Sequence, residues 1–217
     1  MLRTLAVAGA AAALLAASGL SSTASAQPAD DTPPGGFTVG LVSVNGSGCP
    51  VGTAAVAVSP DDTAFTVTYS NYLAQVGVGA LPTDFRKNCQ LDVQVNAPQG
   101  FTYAVAEADY RGYASLASGA TGVERANYYF QGQPQTATAS HSFAGPLDDD
   151  WQATDTTGVA SLVFAPCGET RNLNINTQLI VNAGSSDPSS TTSFMTMDSI
   201  DGSLTTIYHL AWETCPH

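Results

Sequence analysis

From Cys89 to Asn96 apolar and polar residues alternate without a break: Leu91, Val93 and Val95 fall between Gln90, Asp92, Gln94 and Asn96. A period of two marks a strand with one buried face, and it constrains this chain more than any other feature because it recurs. Past Pro98-Gln99-Gly100, a turn sequence, Phe101, Tyr103 and Val105 resume the alternation, which predicts a hairpin within residues 86–113. Leu173, Ile175, Thr177, Leu179 and Val181 alternate with Asn172, Asn174, Asn176 and Gln178, and Ala137, Ala139, His141 and Phe143 alternate with Thr and Ser. Residues 53–58 and 64–69 read as a hairpin across Ser59-Pro60-Asp61-Asp62-Thr63, and 193–199 and 204–212 flank Asp201-Gly202, a strong two-residue hairpin signal. Further strands are expected over 37–44, 158–165 and 126–131, where Tyr128-Tyr129-Phe130 must place large rings on both faces. The Gly-rich stretch 71–82 reads as connection, and 112–125 as a small-residue stretch with one helical turn or none. Short strands at regular spacing without a helical period predict an all-β fold, one antiparallel β-sandwich domain, jelly-roll or immunoglobulin-like, over 37–217.

The N-terminus sets the compartment. Met1-Leu2-Arg3, an Ala/Leu/Val run to about Leu20 and Ala24-Ser25-Ala26 have the three parts of a secretory signal, so residues 1–26 are expected to be removed and 27–36, rich in Pro, Asp and Gly, to form a flexible extension. No later stretch is long and apolar enough to suggest a membrane span. The expected product is secreted and extracellular, with no membrane attachment after cleavage. Loss of Arg3 would leave five basic against eighteen acidic residues, a net charge of −13. Such a surface repels nucleic acid and anionic membrane. Outside the cytoplasm, Cys49, Cys89, Cys167 and Cys215 are expected to form two disulfides, since no pair has Cys-x-x-Cys spacing. Three pairings are open. Cys49–Cys89 with Cys167–Cys215 is favoured because each bond would staple one half of the chain, closing loops that contribute on the order of 4 kcal/mol each in the chain-entropy model.

Residues that carry chemistry are sparse. There is no Gly-x-Ser-x-Gly elbow and no α/β pattern to hold one. His141 and His209 sit in strand patterns among apolar neighbours and read as histidines in or beside the core. Asp148, Asp149, Asp150 and Asp155 offer hard oxygen ligands for calcium, the one cofactor considered, although no calcium-loop spacing accompanies them. An acid pair for glycoside hydrolysis would come from Glu107, Asp109, Glu124 or the Asp148–Asp150 segment. The Asn172, Asn174 and Asn176 ladder, with Trp151 and Tyr128-Tyr129, has the residue types of a sugar-binding sheet face: amides donate to and accept from hydroxyls while rings stack.

Several motifs together resemble one family. Gly48-Cys49-Pro50-x-Gly52-Thr53, Arg86-Lys87-Asn88-Cys89-Gln90-Leu91, Pro98-x-Gly100-Phe101-Thr102-Tyr103, Asp109-Tyr110-Arg111-Gly112-Tyr113, Tyr128-Tyr129-Phe130-Gln131-Gly132, Leu173-Asn174-Ile175-Asn176-Thr177 and Met197-Asp198-Ser199 are similar to domain-of-unknown-function family 4360, secreted proteins of actinobacteria and fungi. The resemblance runs from about Gly48 to Cys215. It implies export and a β-rich disulfide domain and brings no activity or catalytic residue. It draws attention to Tyr110, Arg111 and Tyr113, where an arginine between tyrosines suits a carboxylate or a sugar, while a pairing of Arg111 with Asp109 or Glu107 and a bulge at Gly112 is the structural reading.

The expectation is therefore a secreted, two-disulfide β-sandwich that binds polysaccharide or a cell-wall surface without cleaving it. The alternatives are a glycan-active hydrolase with two acidic residues and an inhibitor or interaction protein that works through its loops.

Overall fold

A computed structural model describes residues 36–158, 161–197 and 205–216. The expected signal peptide and, save for Gly36, the expected extension lie outside them. Among the described residues the chain forms twelve strands: β1 Thr38–Asn45, β2 Ala54–Val58, β3 Ala64–Tyr69, β4 Leu73–Gly77, β5 Arg86–Asn96, β6 Phe101–Leu116, β7 Thr121–Phe130, β8 Ala137–Ala144, β9 Leu147–Thr156, β10 Leu173–Asn182, β11 Thr192–Thr196 and β12 Thr206–Thr214. The first sheet runs β1-β5-β10-β7-β8, and the second runs β2-β3-β12-β6-β11-β4 with β9 also paired to β6. All of the pairings are antiparallel.

The fold is the expected all-β sandwich. From β5 and β10 the first sheet turns Leu91, Val93, Leu173, Ile175, Leu179 and Val181 inward, and these β-branched and leucine side chains suit a pleated, buried face. The second sheet contributes Phe65, Val67, Tyr110, Tyr208, Leu210 and Trp212. Rings meet across the layers: Tyr103 and Phe130 lie 5.4 Å apart, Tyr128 and Tyr208 5.9 Å, and Phe143 and Trp151 5.2 Å. The disulfides are Cys49–Cys89 and Cys167–Cys215, the pairing favoured because each bond staples one half of the chain. The first anchors the turn after β1 to β5, and the second joins the segment before β10 to the end of β12.

Five local expectations need correction. β5 and β6 do not pair; the turn at Pro98-Gln99-Gly100 carries the chain from the first sheet to the second. β11 and β12 do not form a hairpin either. Both lie along one flank of β6, β12 against residues 101–109 and β11 against 114–115, and Asp201-Gly202 falls outside the described residues. The stretch read as connection holds β4, an edge strand on β11, and the stretch read as turn or coil is occupied by the end of β6 and the start of β7. Of the strand expected over 158–165, the described residues 161–165 form none; this segment instead lies along β6, where the Ala165 amide donates to the Tyr103 carbonyl at 2.8 Å and the Thr102 hydroxyl donates to the Ala165 carbonyl at 2.5 Å.

β6 also carries the bulge, though not at Gly112. His209 pairs with Glu107 and Leu210 with Val105, so Ala106 is an extra residue on β6. Before it the inward residues are Tyr103 and Val105; after it they are Ala108, Tyr110, Gly112, Ala114 and Leu116. Gly112 pairs regularly with Trp151. What requires a glycine there is close approach, because a Cβ would run into the Thr196 carbonyl and stand 2.8 Å from the Trp151 ring. Gly112→Ala is expected to lower unfolding free energy by about 1–3 kcal/mol, read as an earlier midpoint in urea; an unchanged midpoint would show that β11 has room to move.

Candidate functional site

The outer face of the first sheet is a field of neutral polar side chains. Direct pairing sets Asn45, Gln90, Asn176, Asn127 and Thr138 in one row across all five strands. The next row holds Ser43, Asp92, Asn174 and Tyr129. Asn174 is buried at 8% exposure, Asn176, Asn127 and Tyr129 are half-buried, and Gln90 and Thr138 are exposed. The Thr138 hydroxyl donates to Asn127 Oδ1 at 2.8 Å. Asn172 stands just before β10, where its carbonyl accepts from the Gln131 amide at 2.9 Å. The ring pattern on β7 is resolved as the alternation requires: Tyr128 and Phe130 face inward and Tyr129 outward. The other anticipated ring, Trp151, is buried in the core and its Nε1 donates to the Thr196 carbonyl at 3.0 Å, so it lies off this face.

The outer face of the second sheet is more highly charged. Along β6 the outward residues are Glu107, Asp109, Arg111, Tyr113 and Ser115, directly opposite Thr156, Thr154, Gln152, Asp150 and Asp148 of β9. Tyr110 belongs to the opposite face and is fully buried. The Tyr113 hydroxyl donates to Asp148 Oδ1 at 2.7 Å, a bond that holds the phenol above its ordinary pKa, and its ring lies 6.1 Å from Phe194. Asp148 and Asp150 share this outer face, Asp149 Oδ1 accepts from the Asp150 amide, and Asp155 points into the sandwich, so the four aspartates are not brought to one point. A different set converges. Glu107, Asp109 and His209 each offer a donor atom, all within 4.8 Å of one another. Burial pushes the Asp109 carboxyl up, but the Thr154 hydroxyl at 2.6 Å and His209 Nε2 at 3.2 Å outweigh it and hold it below the usual range. The sequence offered these residues separately; their meeting depends on the pairing of β12 with β6.

Between the sheets lies a polar cluster that alternation did not reveal. Glu124 is inward on β7 and wholly buried, and among the described residues neither carboxylate oxygen has a hydrogen-bond partner. Its register neighbour His141 on β8 makes a 2.5 Å hydrogen bond to Asp155 Oδ1 of β9, and the Tyr128 hydroxyl donates to Asp155 Oδ2 at 3.2 Å. Glu124 interacts electrostatically with Asp155 and with Tyr69, Tyr72 and Tyr208 from the opposite layer. Burial first, and the Asp155 charge second, push its carboxyl up to about 8. In the sequence Glu124 falls in the small-residue stretch 112–125 and stands out only as one candidate acid for hydrolysis.

These features define an extracellular, disulfide-stapled, all-β domain with two dissimilar sheet faces. The chain belongs to the family described as domain of unknown function (DUF4360), which matches residues 35–215. It is 38% identical over 174 residues, 80% of this chain and 70% of the relative, to an uncharacterized secreted protein of Arthroderma benhamiae, and the protein is secreted. Among solved structures it is similar to the enzymatically active domain of tailspike protein 4 of bacteriophage CBA120, with a TM-score of 0.27 and 10% identity over 86% of this chain and 20% of that one. The chain thus spans about a fifth of that domain's chain, and a likeness of this degree carries no argument.

The raised Glu124 pKa fixes a pH dependence. The folded protein keeps a proton that the unfolded chain releases near pH 4.5, so this contribution to stability is full below about pH 4.5, declines as pH rises, and is gone above about pH 8. The slope is up to about 1.4 kcal/mol per pH unit. Glu124→Gln removes the titration while the facing groups remain, so its stability relative to the parent should rise between pH 5 and 8 in urea unfolding; parallel curves would mean that Glu124 is ionised in the folded state.

Proposed function

We propose that the protein binds neutral polysaccharide outside the cell on the outer face of its first sheet, without cleaving it. The row Asn45, Gln90, Asn176, Asn127 and Thr138 carries this reading. Each amide can donate and accept at once, which matches the paired donor and acceptor character of sugar hydroxyls. At about 4.8 Å between strands the row extends roughly 19 Å, the footprint of a chain rather than of one monosaccharide. Tyr129 supplies a half-buried ring in the next row, beside Asn174. Pairing adds the charges of Arg86, Asp92 and Arg125, which stand on different rows, and the acidic chain as a whole disfavours an anionic polymer.

Hydrolysis finds a specific candidate pair in Glu107 and Asp109, but a general acid needs a raised pKa, and Asp109 is held low. The test is sedimentation of the purified protein with insoluble cellulose, chitin and yeast β-glucan, with assay of the supernatant for reducing sugar. Depletion on at least one polymer without sugar release is expected. Asn176→Ala with Asn127→Ala, and separately Tyr129→Ala, should each weaken retention several-fold, whereas Gln152→Ala on the opposite face should not. Retention unaffected by the first-sheet changes, or absent on every polymer, would overturn the proposal; sugar release abolished by Glu107→Gln would replace it with the enzyme.

A further inference from the structure

We infer that Glu107, Asp109 and His209 form a site for one first-row divalent cation of the zinc class on the outer face of the second sheet. The site is independent of the amide face on the other side of the molecule. His209 Nε2 lies 3.2 Å from Asp109 Oδ2 and 4.0 Å from Glu107 Oε1. Zinc bonds to nitrogen and oxygen are about 2.0–2.2 Å, so the edges of a tetrahedral site are roughly 3.3–3.6 Å. The first separation is already near that value, and the second closes with a sub-ångström shift of the Glu107 side chain, which is 38% exposed. Each carboxylate is held by its other oxygen: Thr154 donates to Asp109 Oδ1 at 2.6 Å and Thr156 to Glu107 Oε2 at 3.3 Å, both from β9. That leaves Oδ2 and Oε1 turned towards the imidazole, an arrangement in which outer residues orient the ligands.

The local charge favours a dication. Two carboxylates face one arginine, Arg111 at the next outward position of β6, whose charge reaches Asp109; with His209 neutral the group keeps a net charge of about −1. An imidazole with two carboxylates suits zinc among the biological divalent ions, whereas calcium takes six to eight oxygens. The bulge at Ala106 brings the donors together by placing Glu107 opposite His209 with both side chains outward, and their partial exposure leaves the remaining coordination positions open to water.

The test uses the secreted protein after treatment with chelator. Calorimetric titration with zinc chloride should show one equivalent per chain, and cobalt(II) should give visible absorption bands of a nitrogen and oxygen site. His209→Ala and Asp109→Asn should each weaken zinc binding at least tenfold and abolish those bands. Thr154→Val, which removes only the hydroxyl that holds Asp109, should weaken it several-fold. Metal-free thermal unfolding of each variant serves as the folding control. The inference fails if zinc does not bind below millimolar concentration, if binding survives His209→Ala or instead follows His141 or His217, or if calcium binds as tightly as zinc.

Discussion

Strand β6 is the constraint on which the second sheet depends. It is hydrogen-bonded along both flanks, to β12 and β11 on one side and to β9 on the other, so a slip in its register would displace three partners at once. Within such a strand one extra residue exchanges the faces of everything beyond it. Ala106 is that residue. Because of it, Tyr103 and Val105 join the core from odd-numbered positions while Tyr110, Ala114 and Leu116 join from even-numbered ones. The same change of parity turns Glu107, Asp109, Arg111 and Tyr113 to the solvent side. The bulge therefore decides both what the sandwich buries and which charged groups can meet outside it.

The two layers are locked by more than apolar contact. Asp155 accepts from Tyr128 and is hydrogen-bonded to His141, which ties the edge strand β8 of the first sheet to β9 of the second. Tyr72 reaches Thr177 of β10 through a 3.2 Å hydroxyl contact. Glu124 stands behind this seam without a hydrogen bond from any described residue. An ionised carboxylate there would carry a large desolvation cost beside the Asp155 charge, so the proton is retained and the group behaves as a buried neutral acid. Neutrality is what makes an inward glutamate compatible with a core of Tyr208, Leu179 and Ile175, all essentially inaccessible.

Much of this architecture is legible in the sequence because alternation is a local property. β1, β2, β3, β5, β8 and β10 follow directly from it, and the disulfide pairing follows from treating each half of the chain as a unit. What is not legible is which strand pairs with which. Pro98-Gln99-Gly100 has the composition of a hairpin turn, but a turn sequence specifies a reversal and not the sheet that receives the next strand. β11 and β12 likewise have the local signs of a hairpin and are instead separate partners of β6, which only tertiary pairing decides. The bulge left no composition signal, since Ala106 is an ordinary alanine, and its effect on parity hid the meeting of Glu107 with His209. Trp151 and Tyr110 looked available for stacking because aromatic residues suit a pleated core and an exposed platform equally well; both are core. Conversely, Asn172, Asn174 and Asn176 could be placed on one face but not in a row with Gln90 and Asn127, because those neighbours come from two other strands.

The contrast between the two outer faces follows from how each is built. The first sheet places its longest runs of alternation in the middle, so its outer positions inherit the polar half of each pattern, which in β5 and β10 is largely amide. Amides are short, uncharged and unable to coordinate a cation strongly, but a neighbouring side chain can satisfy them, as the Thr138 hydroxyl does by donating to Asn127. The second sheet owes its outer chemistry to β6, where the change of parity exposes Glu107, Asp109 and Arg111 in succession, and where Thr154 and Thr156 of β9 and His209 of β12 lie directly across. A sheet in which hydroxyls from one flank fix the carboxylates and an imidazole approaches from the other has its donors oriented before any ion arrives. Preorganisation of that kind lowers the ordering cost of binding. It depends on β6 remaining paired along both flanks, so the same constraint that sets the core parity also holds the ligand atoms in place.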